Sequence, residues 1–438
     1  MKAHPPFLST LRSEMADWRL WAGRTVVLTS AVLSGLAVVA FTWLTEHALR
    51  LFFVVEKSYW WGPLLWTPAC TAAIVWVTRR YAPGAGGSGI PQVMAALAPD
   101  VPAASRGLFV SLRLSVAKIL LTAWGVLGGL SLGREGPSVQ IASGVMHHAR
   151  RWLPSGSRVS EQGLLLAGGA AGIAAAFNTP LGGVMFAIEE LTRKPEQRSN
   201  GLLLAAIVLG GLMAVSVYGN ATYFGIIRVD NISMALLLPG LLVAICSGLA
   251  GGLFSRLLAV SLAGSTPDWF SRFRKKAPVR FAAACGLAVA VLGCVSHGDA
   301  YGGGYAHTRT MLENGGESSS LYVLLKFIAT WLTTWSGVPG GIFAPSLAIG
   351  GALGNDIAQL TGYINAPTLI ALGMAGFLAA VTHAPMTAFI IVMEMVDGHG
   401  LVLSLMASAL VASAVSRLVS VPLYSLLADL QLLRLPKA

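Results

Sequence analysis

Eight apolar runs divide the chain, near residues 25–45, 61–78, 107–129, 200–218, 233–262, 278–296, 319–335 and 400–418. Each run is long enough to cross a hydrocarbon core of about 30 Å as a helix. Charged residues make up 11% of the 438 residues, whereas a soluble domain carries about a quarter. The sequence therefore predicts an all-α polytopic membrane protein. Shorter apolar pieces at 136–146, 181–191 and 384–396 are expected to be half-helices or re-entrant segments.

Three glycine- and proline-containing patches interrupt the apolar chain: Gly87-Ser88-Gly89-Ile90-Pro91, Gly133-Arg134-Glu135-Gly136-Pro137 and Gly341-Ile342-Phe343-Ala344-Pro345. In a bilayer, non-helical backbone is tolerated where it is buried in protein or lines a cavity. A proline in the first turn starts a helix at little cost, and a helix start carries about half a positive elementary charge. The patches therefore predict three broken helices whose starts bind one anion.

Basic residues concentrate in segments that flank the apolar runs. They form three clusters: Lys2, Arg12, Arg19 and Arg24; Arg193, Lys194 and Arg198; and Arg272, Arg274, Lys275, Lys276 and Arg280. This bias predicts that the amino terminus and the basic loops are cytoplasmic. The net charge of +11 is not arranged as an arm or stripe, so no nucleic-acid partner is expected. Residues 1–24 lack the pattern of a signal peptide and are expected to be retained.

The four cysteines, Cys70, Cys246, Cys285 and Cys294, fall singly in apolar stretches. We expect them to pack in the core and to form neither disulfides nor a metal site. No cofactor is expected.

An internal repeat relates the two halves of the chain. Residues 170–180 match residues 375–385 at an offset of 205, which also carries Glu189 onto Glu394. At an offset of 208, Gly133 falls on Gly341 and Lys118 on Lys326. We therefore predict a first repeat at 25–218 and a second at 219–432, flanked by a segment at 1–24 and a tail at 433–438. Transporters built from repeats hold substrate at the repeat interface, near the bilayer midplane.

The three patches, in this order and with Val421-Pro422-Leu423-Tyr424-Ser425 near the end, resemble the CLC family of chloride channels and chloride/proton antiporters, in its prokaryotic type without regulatory domains. The resemblance covers nearly the whole chain. It implies two inverted-topology repeats of tilted, partly broken helices in a bacterial inner membrane. It also implies a homodimer with one pathway per subunit.

The resemblance further implies the chloride ligands: the hydroxyls of Ser88 and Tyr424, together with Gly89, Ile342 and Phe343, the last two through their backbone N–H groups. The other patch residues would shape the site: Gly87, Ile90, Pro91, Gly133, Arg134, Gly136, Pro137, Gly341, Ala344 and Pro345. Simpler interpretations stay open. Ser88 is also a good helix N-cap, Ile342 and Phe343 suit an ordinary core, and Tyr424 suits the membrane interface.

Glu135 is the most informative single residue. A carboxylate in an apolar segment is costly and indicates function, and a salt bridge to the adjacent Arg134 is disfavoured because sequence neighbours on a helix do not face each other. At a helix start, the positive potential that favours chloride also favours the carboxylate. We therefore expect deprotonated Glu135 to occupy the anion site as an outer gate. Protonation would release it outward, so that it also carries protons.

Glu189 and Glu190 end the short segment that begins at Pro180. In the family, the second carboxylate of this pair, here Glu190, relays protons from the cytoplasm in antiporters and is replaced by an apolar residue in channels. Glu189 is expected to be a solvated or salt-bridged helix end. Lys118 adds positive potential to the anion path or shares a structural role with Lys326.

Gln92 stands where many relatives have Glu. It is expected to lie beyond the ion-facing amides and to change local packing or surface potential, not selectivity. The overall prediction is a secondary active antiporter that exchanges chloride for protons, with a passive chloride channel of the same fold as the alternative. An intramembrane enzyme with Ser88 as nucleophile and His383 as base is disfavoured, because no third orienting group or metal-ligand spacing accompanies them.

Overall fold

The structure is a computed structural model that describes residues 17–157, 159–192, 201–219, 223–224, 234–264, 266–314 and 319–433. The basic residues Lys2, Arg12, Arg193, Lys194 and Arg198, and most of the predicted tail at 433–438, lie outside the described residues.

The described residues form nineteen α-helices, nine of them in the first half: α1 Trp18–Ser58, α2 Gly62–Tyr81, α3 Ile90–Leu97, α4 Ala103–Arg106, α5 Leu112–Leu127, α6 Glu135–His148, α7 Glu161–Phe177, α8 Pro180–Phe186 and α9 Gly201–Tyr218. A π-helix, Ala187–Thr192, continues α8, and short 3₁₀ turns lie at Pro83–Ala85 and Ala149–Trp152.

The second half contains ten more: α10 Leu237–Ala263, α11 Trp269–Lys276, α12 Pro278–Val295, α13 Tyr305–Asn314, α14 Leu321–Ser336, α15 Phe343–Thr361, α16 Ala366–Thr382, α17 Pro385–Met395, α18 Val402–Arg417 and α19 Leu423–Leu432. Its 3₁₀ turns lie at Met234–Leu236 and His399–Leu401. Extended pairing in the described residues amounts to one isolated antiparallel bridge, between Gly133 and Gly341.

Within the part of the chain that the structure describes, five helical segments are long and apolar enough to cross a membrane: Trp18–Ser58, Gly201–Tyr218, Met234–Ala263, Pro278–Val295 and His399–Arg417. The predicted runs at 61–78, 107–129 and 319–335 are also helical, as α2, α5 and α14 of 16 to 20 residues. The pieces expected to be half-helices are α6, α8 with its π-helix, and α17, which span 14, 7 and 11 residues before the π extension. The predicted fold class, all-α with partly broken helices, is confirmed.

Glycines let the central helices pack backbone to backbone. A Cβ on Gly350 of α15 would lie 2.3 Å from the Gly373 carbonyl oxygen of α16, and one on Gly373 would lie 2.1 Å from the Gly350 oxygen. In the first half, a Cβ on Gly172 of α7 would lie 2.5 Å from the Ser138 oxygen of α6. Close packing of this kind stabilises membrane helices in the absence of a hydrophobic driving force. It holds the first turns of α6 and α15 in place.

Candidate functional site

The three patches meet through backbone hydrogen bonds. Gly133 N–H donates to the Gly341 oxygen at 2.7 Å, and Gly341 N–H donates back to Gly133 at 2.8 Å. Gly340 N–H donates to the Gly87 oxygen at 3.1 Å. Gly87 and Gly89 adopt φ of 76° and 112°, a region that glycine enters without steric cost. The starts of α3, α6 and α15 therefore come together, as the sequence predicts.

Hydrogen-bond donors without acceptors surround the junction. The hydroxyls of Ser88 and Tyr424 are buried and have no hydrogen-bond partner among the described residues. The backbone N–H groups of Gly87, Ile342 and Phe343 also have no hydrogen-bond acceptor among the described residues. The Phe343 ring stacks on the Tyr424 ring with centroids 6.0 Å apart. Buried polar groups nearly always find partners, so this cluster of unpaired donors is a candidate binding site for an anion.

The structure changes two details of the predicted first patch. The N-cap of α3 is Gly89, not Ser88, so the capping interpretation of Ser88 is wrong. Gly89 N–H donates to the Gln92 Oε1 atom at 3.0 Å, so it is not a free donor in this structure, and the role of Gly89 as a chloride ligand stays a prediction. Gly87 offers the free N–H instead. The sequence contains no local signal that Gly87, and not Gly89, has the unpaired N–H, because the conformation of the turn decides which amide the Gln92 side chain reaches.

Glu135 occupies the junction. Its side chain is fully buried, and its Oε2 atom accepts a hydrogen bond from Ala344 N–H at 3.3 Å. Its Oε1 atom has no partner among the described residues. A Cβ on Gly133 would lie 2.4 Å from Oε2, so glycine at 133 makes room for the carboxylate. The carboxylate therefore sits at the start of α15, beside the free donors of Ile342 and Phe343.

Arg134 faces away from Glu135, toward the other side of the junction. Its guanidinium bonds Glu46 at 2.9 Å, donates to the Tyr223 hydroxyl and lies 5.1 Å from the Tyr305 ring centroid. These residues line one cavity of about 480 Å³. Ser88, Ile342 and Tyr424 line a second cavity of about 340 Å³. The patches separate the two cavities, and Glu135 belongs to the wall of neither.

Glu190 lies in the π-helix Ala187–Thr192 and is 1% exposed. Single-turn π-helices are frequent at functional sites.

Glu189 has a different role from the one expected. Its carboxylate accepts hydrogen bonds from Met386 N–H at 3.1 Å and Thr387 N–H at 2.6 Å, at the start of α17. Its repeat counterpart Glu394 does the same at the start of α8, with Leu181 N–H at 3.2 Å and Gly182 N–H at 2.7 Å. Glu189 is thus a cap for another helix, not a solvated or salt-bridged end. The offset of 205 pairs these residues, but their reciprocal contact is visible in the structure alone.

The two repeat-related lysines are both fully buried and both bind backbone carbonyls. Lys118 Nζ donates to Ala85 at 2.6 Å and Gly87 at 2.7 Å. Lys326 Nζ donates to the carbonyls of residues 300–302 at 2.7 to 3.3 Å. The two lysines therefore share a structural role, and Lys118 in addition contacts Gly87 of the first patch.

The enzyme alternative finds no support in the geometry. The Nε2 atom of His383 lies 3.1 Å from the Ser416 hydroxyl and 3.4 Å from the Ser420 hydroxyl, at the end of α16. Within the described ranges, no group of three or more His, Cys, Asp or Glu side chains could hold a metal ion. All four cysteines are free.

In this all-helical membrane protein, broken helices bring unpaired donors and a buried carboxylate to one point. This arrangement is that of an anion transporter or channel. Residues 70–417 match the sequence profile of the family described as voltage gated chloride channel. The chain belongs to this family, the CLC proteins.

Individual relatives cover most of the chain. The H(+)/Cl(-) exchange transporter ClcA of Citrobacter koseri is 33% identical over 432 residues, which cover 91% of this chain and 87% of that protein. The protein of the same name from Salmonella arizonae is 32% identical over 429 residues, with the same coverage. Among solved structures, a slow cyanobacterial Cl⁻/H⁺ antiporter superposes with a TM-score of 0.79 at 26% identity, over 95% of this chain and 98% of the other.

Proposed function

We propose that this chain is a chloride/proton antiporter, in which Glu135 is the outer gate and proton carrier and Glu190 the inner proton relay. The observation that carries the proposal is the position of the Glu135 carboxylate, at Ala344 N–H and beside the unpaired donors of Ile342 and Phe343. A carboxylate and chloride are both anions that compete for the same donors. Occupancy by one therefore excludes the other.

This competition links the two ions. Protonation of Glu135 removes its charge and weakens its hydrogen bond to Ala344, because charge-assisted bonds are about twice as strong as neutral ones. The carboxylate then leaves the junction, and chloride takes its place at the unpaired donors of Ile342, Phe343 and Ser88. Deprotonation returns the carboxylate and expels the chloride. Each proton carried by Glu135 is thereby exchanged against chloride.

Glu190 distinguishes the antiporter from the channel alternative. It is a buried carboxylate, and proton relays are among the roles of intramembrane carboxylates. In the second repeat, the position opposite Glu190 is Met395, so this carboxylate is specific to one half. The exchange of chloride for protons in the named relatives of Citrobacter and Salmonella agrees with this assignment.

The donor cluster and both carboxylates come from one chain, which supports one complete pathway per subunit of a homodimer. The named relatives are bacterial, and the basic helix α11, which contains Arg272 and Lys275, favours a cytoplasmic amino terminus in the inner membrane. The repeat bounds 25–218 and 219–432 belong to the same proposal.

The test uses purified protein in liposomes, with chloride and proton fluxes recorded together under an imposed chloride gradient. Antiport predicts that chloride moving down its gradient drives protons uphill. Chloride flux without uphill protons would identify a channel. Absence of chloride flux would refute both.

A further inference from the structure

Two arginines line a groove between the ends of α10 and α18. Arg256 is the one charged residue of α10, and Arg417 is the one charged residue of α18. The groove has a volume of about 480 Å³, and apolar side chains such as Val260 and Val421 form much of its wall. None of the described residues that line it is acidic. We call it the arginine groove.

Close packing of the two helices brings the arginines together. A Cβ on Gly248 of α10 would lie 2.8 Å from a carbonyl oxygen of α18, and one on Gly252 would lie 3.1 Å from the Ser416 hydroxyl oxygen. Residues four apart lie on the same face of a helix, so Arg256 follows the two glycines on the face that meets α18. Arg417 comes directly after Ser416 and is the last residue of α18. The helix contact therefore ends in a groove with a guanidinium from each helix.

Neither arginine has a partner in the described part of the protein. The arginine ion pairs there are those of Arg106, Arg134, Arg150 and Arg309. Arg256 and Arg417 are both exposed, and α10 and α18 are both candidate membrane spans. Arg256 lies about 10 Å before the end of α10. An unpaired charge inside a membrane span is costly, and an anion from the membrane would remove that cost.

The groove lies at a basic end of the protein. Helix α11 follows α10 and folds back onto its end, where Arg274 Nη1 donates to the Ser261 oxygen at 3.0 Å. The same helix carries the exposed residues Arg272, Lys275 and Lys276. The positive-inside bias assigns this end to the cytoplasm. The cytoplasmic leaflet contains anionic lipids, which basic pockets between membrane helices bind by their headgroups.

We propose that the arginine groove binds the headgroup of an anionic phospholipid. The two guanidinium groups take the phosphate, because a guanidinium matches phosphate oxygens with paired N–H donors. The acyl chains lie against Val260 and Val421, which are 42% and 54% exposed. The residues that line the groove are different from those that line the cavity of Ser88 and Tyr424. The lipid site is therefore separate from the proposed chloride site.

The test counts the lipids bound to the purified full-length protein by native mass spectrometry, during titration with dioleoyl phosphatidylglycerol. The double substitution Arg256→Gln with Arg417→Gln is expected to weaken the tightest binding step about 25-fold, because each basic residue near an anionic membrane surface contributes about fivefold. Dioleoyl phosphatidylcholine has the same acyl chains and no net charge. It should bind more weakly and respond little to the substitutions, and an equal response to both lipids would overturn the proposal.

Arg272→Gln with Arg280→Gln is the matched control, since it removes two exposed charges from the same end of the protein but outside the groove. It should leave the tightest step within about twofold of the unchanged protein, because a groove contact needs the groove residues themselves. Equal weakening in the two double variants would show general attraction to charge and no built site.

Arg256→Lys with Arg417→Lys keeps both charges and both long side chains but loses the paired N–H donors. Binding of phosphatidylglycerol should weaken about fivefold, the value of one lost hydrogen bond. Because lysine also reaches from a helix toward the membrane surface, an affinity equal to that of the unchanged protein would refute the contact between guanidinium and phosphate.

Two other occupants of the groove are distinguished in the same spectra. Glycerol 3-phosphate lacks acyl chains and should not displace the phospholipid at equal concentration; displacement would identify a site for soluble phosphates instead. A second copy of this chain in the groove would appear as a lower oligomeric mass of the Arg256→Gln, Arg417→Gln protein with unchanged lipid binding. Either outcome overturns the phospholipid site.

Discussion

The substitution Gly133→Ala tests whether the contact between the Glu135 carboxylate and Ala344 N–H holds the proposed gate closed. A Cβ at position 133 would lie 2.4 Å from the Glu135 Oε2 atom and 3.2 Å from the Ala344 nitrogen. The φ of Gly133 lies outside the left-handed region, so alanine fits the backbone. The carboxylate is the end of a flexible side chain and can move. We therefore expect the substitution to push the carboxylate off Ala344 N–H while the fold persists.

The size of the effect follows from the contact that is lost. One hydrogen bond to a charged group contributes about 1.5–3 kcal/mol. Loss of this bond should raise the ratio of anion sites without the Glu135 carboxylate to anion sites occupied by it by about 10- to 100-fold at a given pH. In liposomes, chloride flux in Gly133→Ala should persist at high external pH, where the unchanged protein slows, and each chloride should drive fewer protons.

Glu135→Gln serves as the reference for a permanently uncharged gate. Gly133→Ala should approach it in pH dependence without matching its complete loss of proton transport. An unchanged pH dependence with full coupling in Gly133→Ala would show that the Ala344 contact does not hold the gate closed.

Three further predictions concern the inner side of the site. Glu190→Gln should retain chloride flux that slows as external pH rises, because Glu135 still gates, but should pump no protons; uphill proton movement in that variant would refute the relay. Tyr424→Phe keeps the ring and removes the hydroxyl, so calorimetry should show chloride affinity about fivefold weaker, one lost hydrogen bond of about 1 kcal/mol; an unchanged affinity would contradict its role as a ligand. Glu189→Ala and Glu394→Ala each remove one helix cap and should each lower the free energy of unfolding by about 1–2 kcal/mol, as measured by denaturant unfolding in detergent. Glu189→Ala alone should also loosen coupling, since it adjoins Glu190; equal coupling in the two variants would restrict Glu189 to a structural role.

Much of the site is predictable because its signals are local. A proline after glycines starts a helix wherever the chain lies, so the three patches indicate three helix starts directly. A glutamate in an apolar segment indicates function by its cost alone, which singles out Glu135. The roles of Ser88 and Tyr424 come from the family resemblance, and they remain proposals that the unpaired hydroxyls support.

The partners of these residues are not predictable from the sequence. Arg134 pairs with Glu46, 88 residues earlier, and Glu189 caps a helix that starts almost 200 residues later. No periodicity or motif encodes such contacts, because they arise when distant helices pack. The repeat offset relates Glu189 to Glu394 as equivalents, yet it cannot show that each caps the other's half.

The sequence by itself determined that this is an all-α membrane protein with broken helices, and it located the three patches and the carboxylate proposed as the gate, because hydropathy, proline and glycine act through the local chain. Tertiary structure alone decided which amides are free. Gly89 N–H donates to Gln92, whereas Gly87 N–H has no partner among the described residues. An anion responds to the few donors that remain unpaired after every other bond has formed, and that remainder depends on the whole packed structure.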